Sequence, residues 1–290
     1  LTDPQEVPTT ALPPTGLDPE TPLSVLRRFA ITTLAEDMTD FSVAAEMAVA
    51  GMANPFTGLP SLAGLAILVD DVAGRVNYYR RAQGQWTVSS ELTVEISPGA
   101  LESVAVGPQD PVVARAHPVG PAGATLLSLC TLTHRGAVIG GGTVRTMPLP
   151  GGAGAPLPRG EDPLVRSATT SLAELMAVEP LPVHDGVYRL RQHPDPMINN
   201  LIGIVHGGVS SAGLELVAAG AVNHGQDRPL RTASIRVNFL RPFVATAQPG
   251  AESSYEARAL RIGRTSAVAE ATAVGADGKP AVIARVTAYR

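Results

Sequence analysis

Apolar residues recur along the chain in two kinds of run. The first is nearly continuous. "NLIGIVHGGVSSAGLELVAAGA" (200–221) carries a single carboxylate, Glu215, among Val, Leu, Ala and Gly, and "SLAGLAILVDDVAG" (61–74) has the same character with Asp70 and Asp71 inside it. Such runs predict helices that must be covered on nearly every side. The second kind alternates. "SSELTVEIS" (89–97), "SIRVNFLRP" (234–242) and "AESSYEARALRIGRTSAVAEATAVGADGKPAVIARVTAYR" (251–290) switch character at every second residue, a strand pattern, and the last is broken by Gly-Arg at 263 and Asp-Gly at 277, two hairpin signals.

The two halves can be laid over one another. Placing 54–74 on 199–219 sets Asn54 on Asn199, Gly58 on Gly203, Ser61 on His206 and Asp70 on Glu215, an offset of 145 that still holds when 89–97 falls on 234–242. This points to an internal duplication. Each half reads as one helix followed by four or five antiparallel strands, and a curved antiparallel sheet wrapped about one central helix would cover that helix. The expected class is α+β, two such units forming one pseudo-symmetric body. The Pro- and Thr-rich residues 1–22 read as a mobile arm, 23–147 as the first unit, the Pro- and Gly-rich stretch 148–164 as a linker, and 165–290 as the second unit.

Composition narrows the function. Net charge is −4 with no basic block, which argues against nucleic acid; the 22 basic residues are Arg except for Lys279. Cys130 stands alone, so no disulfide framework or Cys-based metal site is expected, and His134, His184 and His193 are too widely spaced to suggest a metal. No apolar run reaches the roughly 18 residues of a membrane span. The opening "LTDPQEVPTTALPPTG" lacks the basic and apolar regions of a secretory signal, and a cytoplasmic protein is the simplest expectation.

The chemistry concentrates at the start of the later helix. The amides of Gly207 and Gly208 would be unpaired donors in a first helical turn, with no side chains to keep a ligand away and with the positive end of the helix dipole behind them. That arrangement can stabilise a carbonyl oxygen becoming an oxyanion; a tight strand-to-helix turn that needs Gly is the plain alternative. Asp70 and Glu215 each lie nine residues past a helix start, in apolar surroundings that raise a carboxyl pKa and suit it to activating water. The competing role is an acid facing solvent or an Arg, for which Asp71 is the natural candidate.

"NLIGIVHGGVSSAGLE", "TASIRVNFLRPF" and "ALRIGRTSAVAEATAVGADGKPAVIARVTAY" together resemble the hotdog-fold acyl-CoA thioesterases of the phenylacetate-pathway-like group. The resemblance covers nearly all of 195–290 and is fainter in the first half, so it implies a double hotdog. It further implies a site between the units, hydrolysing an acyl-CoA thioester. Asn200 and the Gly207 amide would polarise the carbonyl, His206 would flank it, and Asp70 from the other unit would activate water. Gly208, Arg241, Arg264 and Thr265 would bind substrate, the Arg residues through coenzyme A phosphates. No metal and no cofactor beyond coenzyme A as part of the substrate is implied; the partner is a small molecule, and a homodimer of double hotdogs fits the group. At the mirror position Ser61, Leu62 and Ala63 replace His-Gly-Gly and Pro55 replaces Asn200, so one working and one decayed site are expected. Glu215 then is either structural or the catalytic acid of a reversed pairing. A non-catalytic acyl-CoA-binding protein is the main alternative. A serine hydrolase fits poorly because the run after Gly208 lacks the closing Gly of a nucleophile elbow, and a hotdog dehydratase because no His occurs between 41 and 116.

Overall fold

The computed structural model describes residues 22–151, 161–164, 166–167, 170–248 and 250–290; the arm expected over 1–22 lies outside them apart from Pro22. The first half runs α1 (Leu23–Phe29), β1 (Ile31–Asp37), β2 (Ser42–Met47), α2 (Leu65–Tyr79), β3 (Gln85–Ile96), α3 (Ala100–Val106), β4 (Val112–Val119), β5 (Leu126–His134) and β6 (Ala137–Pro150). The second runs α4 (Leu172–Leu175), β7 (Val178–Pro180), β8 (Tyr188–Gln192), α5 (Gly207–Asn223), β9 (Arg231–Phe239), the two-residue strands β10 (Ala247–Gln248) and β11 (Ala251–Glu252), β12 (Ser254–Ile262), β13 (Ser266–Val274) and β14 (Pro280–Tyr289).

Twelve strands form one sheet in the order β1-β2-β4-β5-β6-β3-β9-β14-β13-β12-β8-β7, six from each half. The halves meet at an antiparallel β3–β9 pair in which Leu92 faces Val237, Glu91 faces Asn238 and Thr93 faces Arg236. Leu92 and Val237 are separated by the same offset of 145 that relates the two sequences, so the pseudo-twofold axis passes between them. The duplication is therefore built into the register. Two strands precede each central helix, where the sequence pattern had placed all strands after it. Six of the seven residues of β1 are exposed and β7 has three residues in all, so neither carries the alternation that marks a half-buried strand.

The two helices are as enclosed as their apolar runs require. Every residue of α2 except Tyr79 is buried, and α5 packs against β8, β9, β12, β13 and β14. Glycines let α5 approach its neighbours. A Cβ on Gly208 would lie 2.5 Å from the Ile67 Cα of α2, and one on Gly213 would lie 2.6 Å from the Tyr255 ring. The first contact brings α2 close against the start of α5, and the second seats α5 on β12. β6 runs on to Pro150, into the stretch read as a linker from 148, because Gln85 to Thr87 of β3 pair with those residues. From the end of that stretch Asp162 takes two N–H groups of the buried Arg28 in α1, which also reaches Asp195 at 2.9 Å in the second half. Among the described residues no helix is long and apolar enough to cross a membrane.

Candidate active site

His206 is the N-cap of α5, with its Nδ1 accepting from the Gly208 N–H at 3.2 Å. It leaves the helical path there because its own N–H is bonded to Ile198 O while its carbonyl already receives Ser210 N–H. The first turn of α5 thus begins at a fixed point, with the positive end of a largely buried helix aimed outward from it.

Asp70, from the middle of α2, sits across from this turn. Its Oδ2 accepts from Gly208 N–H at 2.6 Å, its Oδ1 accepts from Ser89 Oγ at 3.0 Å, and His206 Nδ1 lies 3.5 Å from Oδ2. The carboxyl is only 6 % exposed. Burial pushes its pKa above the ordinary aspartate value, opposed by His206, Ser89 and the Gly208 amide. A Cβ on Gly207 would come 2.7 Å from Asp70 Oδ2, so only glycine leaves this face of the helix start open to the carboxylate. The Gly207 N–H has no partner among the described residues.

Asp70, Ser89, Asn200, His206, Gly207 and Arg241 line one cavity of about 320 Å³, walled by Trp86, Phe239, Leu240 and Phe243. Asn200 is partly committed to its own loop, because its Oδ1 accepts from Ile202 N–H at 3.1 Å and from Ile204 N–H at 3.0 Å. Gly208 departs from its expected substrate-binding place: it is packed on Ile67 and gives its N–H to Asp70. Arg241 lines the cavity but spends its donors on the β13–β14 turn, with Nη1 and Nη2 on Asp277 at 3.0 and 2.6 Å and Nε on Pro280 O. Arg264 and Thr265 are not at this cavity. They form the β12–β13 turn, tied to Arg290 N–H, at the end of β14 where Tyr289 pairs with Arg231; the cavity lies by Val282, at the other end of that strand. Ser89 was not singled out from the sequence. Its only signal is a hydroxyl at a fixed place in an alternating strand.

The mirror position keeps more than its lost motif suggests. A cavity of about 480 Å³ is lined there by Ser61, Leu62, Glu215 and Thr232. Glu215 is 4 % exposed; its Oε1 accepts from Thr232 Oγ1 at 2.5 Å and its Oε2 from Ser61 Oγ at 3.4 Å. Ser61 Oγ also accepts from Ala63 N–H, but α2 begins only at Leu65, with Gly64 as an N-cap that has no side-chain hydrogen bond, so this helix starts three residues later than the offset from His206 predicts and Asp70 lies closer to its start than nine residues. The two positions thus differ in the residues that precede the helix, while both keep a cavity and a buried acid. Asp71 has the bland role expected of it, paired with Arg75 at 2.8 Å, although both are buried.

Burial drives the Glu215 carboxyl up to about 7, with the Thr232 and Ser61 hydroxyls opposing. An unfolded glutamate titrates near 4.5. Between these values the folded chain holds a proton that the unfolded chain has released, so stability falls as pH rises through the window and the loss is complete above 7. The difference corresponds to about 3 kcal/mol from this one group. Glu215→Gln is expected to flatten the decline of Tm between pH 4.5 and 8. A variant curve parallel to that of the wild type would refute a raised Glu215.

Among the described residues no group of three or more His, Cys, Asp or Glu could hold a metal ion. Residues 202–282 match the family model of the thioesterase superfamily. No curated protein matches the chain. Among solved structures the chain is similar to an acyl-CoA thioesterase II (TesB2) from Mycobacterium marinum, at 12% identity over 92% of this chain and 96% of that one, TM-score 0.58. It is similar to the tesB protein of Mycobacterium avium subs paratuberculosis at 12% identity over 91% and 97%, TM-score 0.59. A conserved protein with hot dog fold from Alicyclobacillus acidocaldarius matches at 15% identity over 92% and 97%, TM-score 0.54. The architecture is a double hotdog, each half a central helix wrapped by a curved antiparallel sheet.

Proposed function

We propose that this chain hydrolyses acyl-CoA thioesters in the cavity where the first turn of α5 meets Asp70. One observation carries the reading: a buried carboxylate is held by a helix-start amide and a serine, and it borders the same cavity as the open N–H of Gly207. The thioesterase-superfamily match over 202–282 supports the class of reaction.

In this mechanism the thioester carbonyl oxygen sits on the Gly207 N–H, with the Asn200 amide beside it. Negative charge that builds on that oxygen meets a preorganised donor and the helix dipole in a water-poor site. Asp70 takes a proton from a water, whose oxygen attacks the carbonyl carbon. The C–S bond then breaks, and the proton passes to the departing thiol. Ser89 and Gly208 fix both oxygens of Asp70, so the base does not have to reorganise during the reaction. The raised pKa makes it a stronger proton acceptor than an exposed aspartate.

The test is a panel of acyl-CoA thioesters of graded chain length, with released thiol followed by a chromogenic dye. Turnover of at least one member is expected. Saturable binding of acyl-CoA without release of thiol would replace this reading by a non-catalytic acyl-CoA-binding protein.

A further inference from the structure

The chain holds two cavities related by its own pseudo-symmetry, and the mechanism above uses only the smaller one. The other also holds a buried acid and an open backbone amide, although Pro55 and Ser61 stand where the first has Asn200 and His206. Its acid is Glu215, with a hydroxyl on each carboxylate oxygen. The segment leading into α2 offers the Leu62 N–H, which has no partner among the described residues and lies at the sequence position equivalent to Gly207, three residues before the helix begins at Leu65. Ser61 Oγ caps Ala63 N–H, leaving the Leu62 amide as the open donor. Asp70 accepts from a backbone amide, whereas Glu215 accepts only from hydroxyls.

The walls differ as well. α3 supplies Leu101 and Val104 to the larger cavity, while the second half continues from β9 without a matching helix. The space is larger as a result, about 480 against about 320 Å³. Glu102 of α3 and Arg231 of β9 pair with one another beside it.

We propose that this larger cavity is a second hydrolytic site for acyl thioesters, with Glu215 as its base and the Leu62 N–H as donor to the carbonyl oxygen, and that it takes the longer acyl groups. The inference rests on the thioesterase reading of the first cavity and extends it. Glu215 removes a proton from water, the water oxygen bonds to the carbonyl carbon, the C–S bond breaks, and the proton on Glu215 passes to the leaving sulfur; a carboxylic acid and a thiol result. The groups facing Glu215 are the Thr232 hydroxyl from β9 and the Ser61 hydroxyl from the segment before α2. The other charged groups that line this cavity, Glu102 and Arg231, are paired with each other, so the pH response of this site belongs to Glu215.

The experiment disables the first site and reads the second. In an Asp70→Asn background, saturated acyl-CoA thioesters from acetyl to palmitoyl are assayed for thiol release. Residual turnover is expected to favour the longer chains, to rise with pH through about 7 as Glu215 deprotonates, and to fall at least tenfold when Glu215→Gln is added. Ala219→Phe, one turn along α5 on the wall of the larger cavity, is expected to remove the same long-chain activity. Gly207→Val provides an independent way to silence the first site, and thermal melts identify any variant that has not folded. No residual turnover in either folded background, or residual turnover indifferent to both Glu215→Gln and Ala219→Phe, overturns the second site while the first stands. A wild type that hydrolyses none of the thioesters overturns both.

Discussion

Asp70→Asn lowers kcat/KM for the best short-chain acyl-CoA by about 10²-fold or more and leaves the chain folded. The substitution keeps the size and shape of the side chain, and an amide oxygen can still accept from Gly208 N–H or Ser89 Oγ, which hold the carboxylate at 2.6 and 3.0 Å. What it removes is the basic lone pair. A general base contributes about 10²–10⁴-fold, so the barrier rises by about 3 kcal/mol or more. The loss falls on kcat and not on KM, because in the proposed geometry the substrate carbonyl rests on Gly207 and Asn200 while Asp70 acts on the water. Stability moves the other way or not at all, since a carboxyl whose pKa is raised by burial is one whose charge the fold disfavours. In the wild type, activity falls as pH drops through that raised pKa, and the descending acid limb disappears in the variant. Short-chain kcat/KM within threefold of the wild type, measured on folded protein, would remove Asp70 from the reaction.

The placement of Asp70 was legible in the sequence because three constraints coincide there. An apolar run that must be enclosed, a carboxylate inside it, and a second carboxylate at the same offset leave few arrangements other than two central helices facing each other. The β3–β9 register, with Leu92 on Val237, is the structural form of that offset. Other features had no local signature. Ser89 matters only because its strand passes Asp70, a long-range fact absent from any short window. β1 and β7 are edge strands, with too little burial to impose alternation. Arg241 and Arg264 carry the same residue type at comparable strand ends, but pairing places one at the cavity and the other at the far end of β14. The breadth of the mirror cavity depends on α3, whose walls could not be assigned before its packing was known.

Arg75→Met carries the largest expected cost to stability. Arg75 is 2 % exposed and holds Asp71, which is fully buried, at 2.8 Å, and Glu36 at 2.6 Å; it also donates to Thr33 Oγ1. Methionine fills much of the space of the aliphatic stem, so the change isolates the charge from the packing. Glu36 is about one-third exposed and regains water. Asp71 cannot: its Oδ1 already lacks a hydrogen-bond partner, and without Arg75 its Oδ2 loses the ion pair. An uncompensated buried charge costs about 3–5 kcal/mol, enough to lower Tm by about 10 °C in a chain of this size. Adding Asp71→Asn to Arg75→Met removes the charge that was stranded, and the double variant is expected to recover at least half of the loss, the non-additivity of two coupled residues. The pair also bears on the first site through position. Asp71 is adjacent to Asp70 on α2, and its negative charge raises the Asp70 pKa. With Arg75 gone, an ionised Asp71 would raise it further and move the acid limb of activity to higher pH. A Tm for Arg75→Met within 2–3 °C of the wild type would show that Asp71 does not depend on this ion pair, and the predicted shift of the acid limb would fall with it.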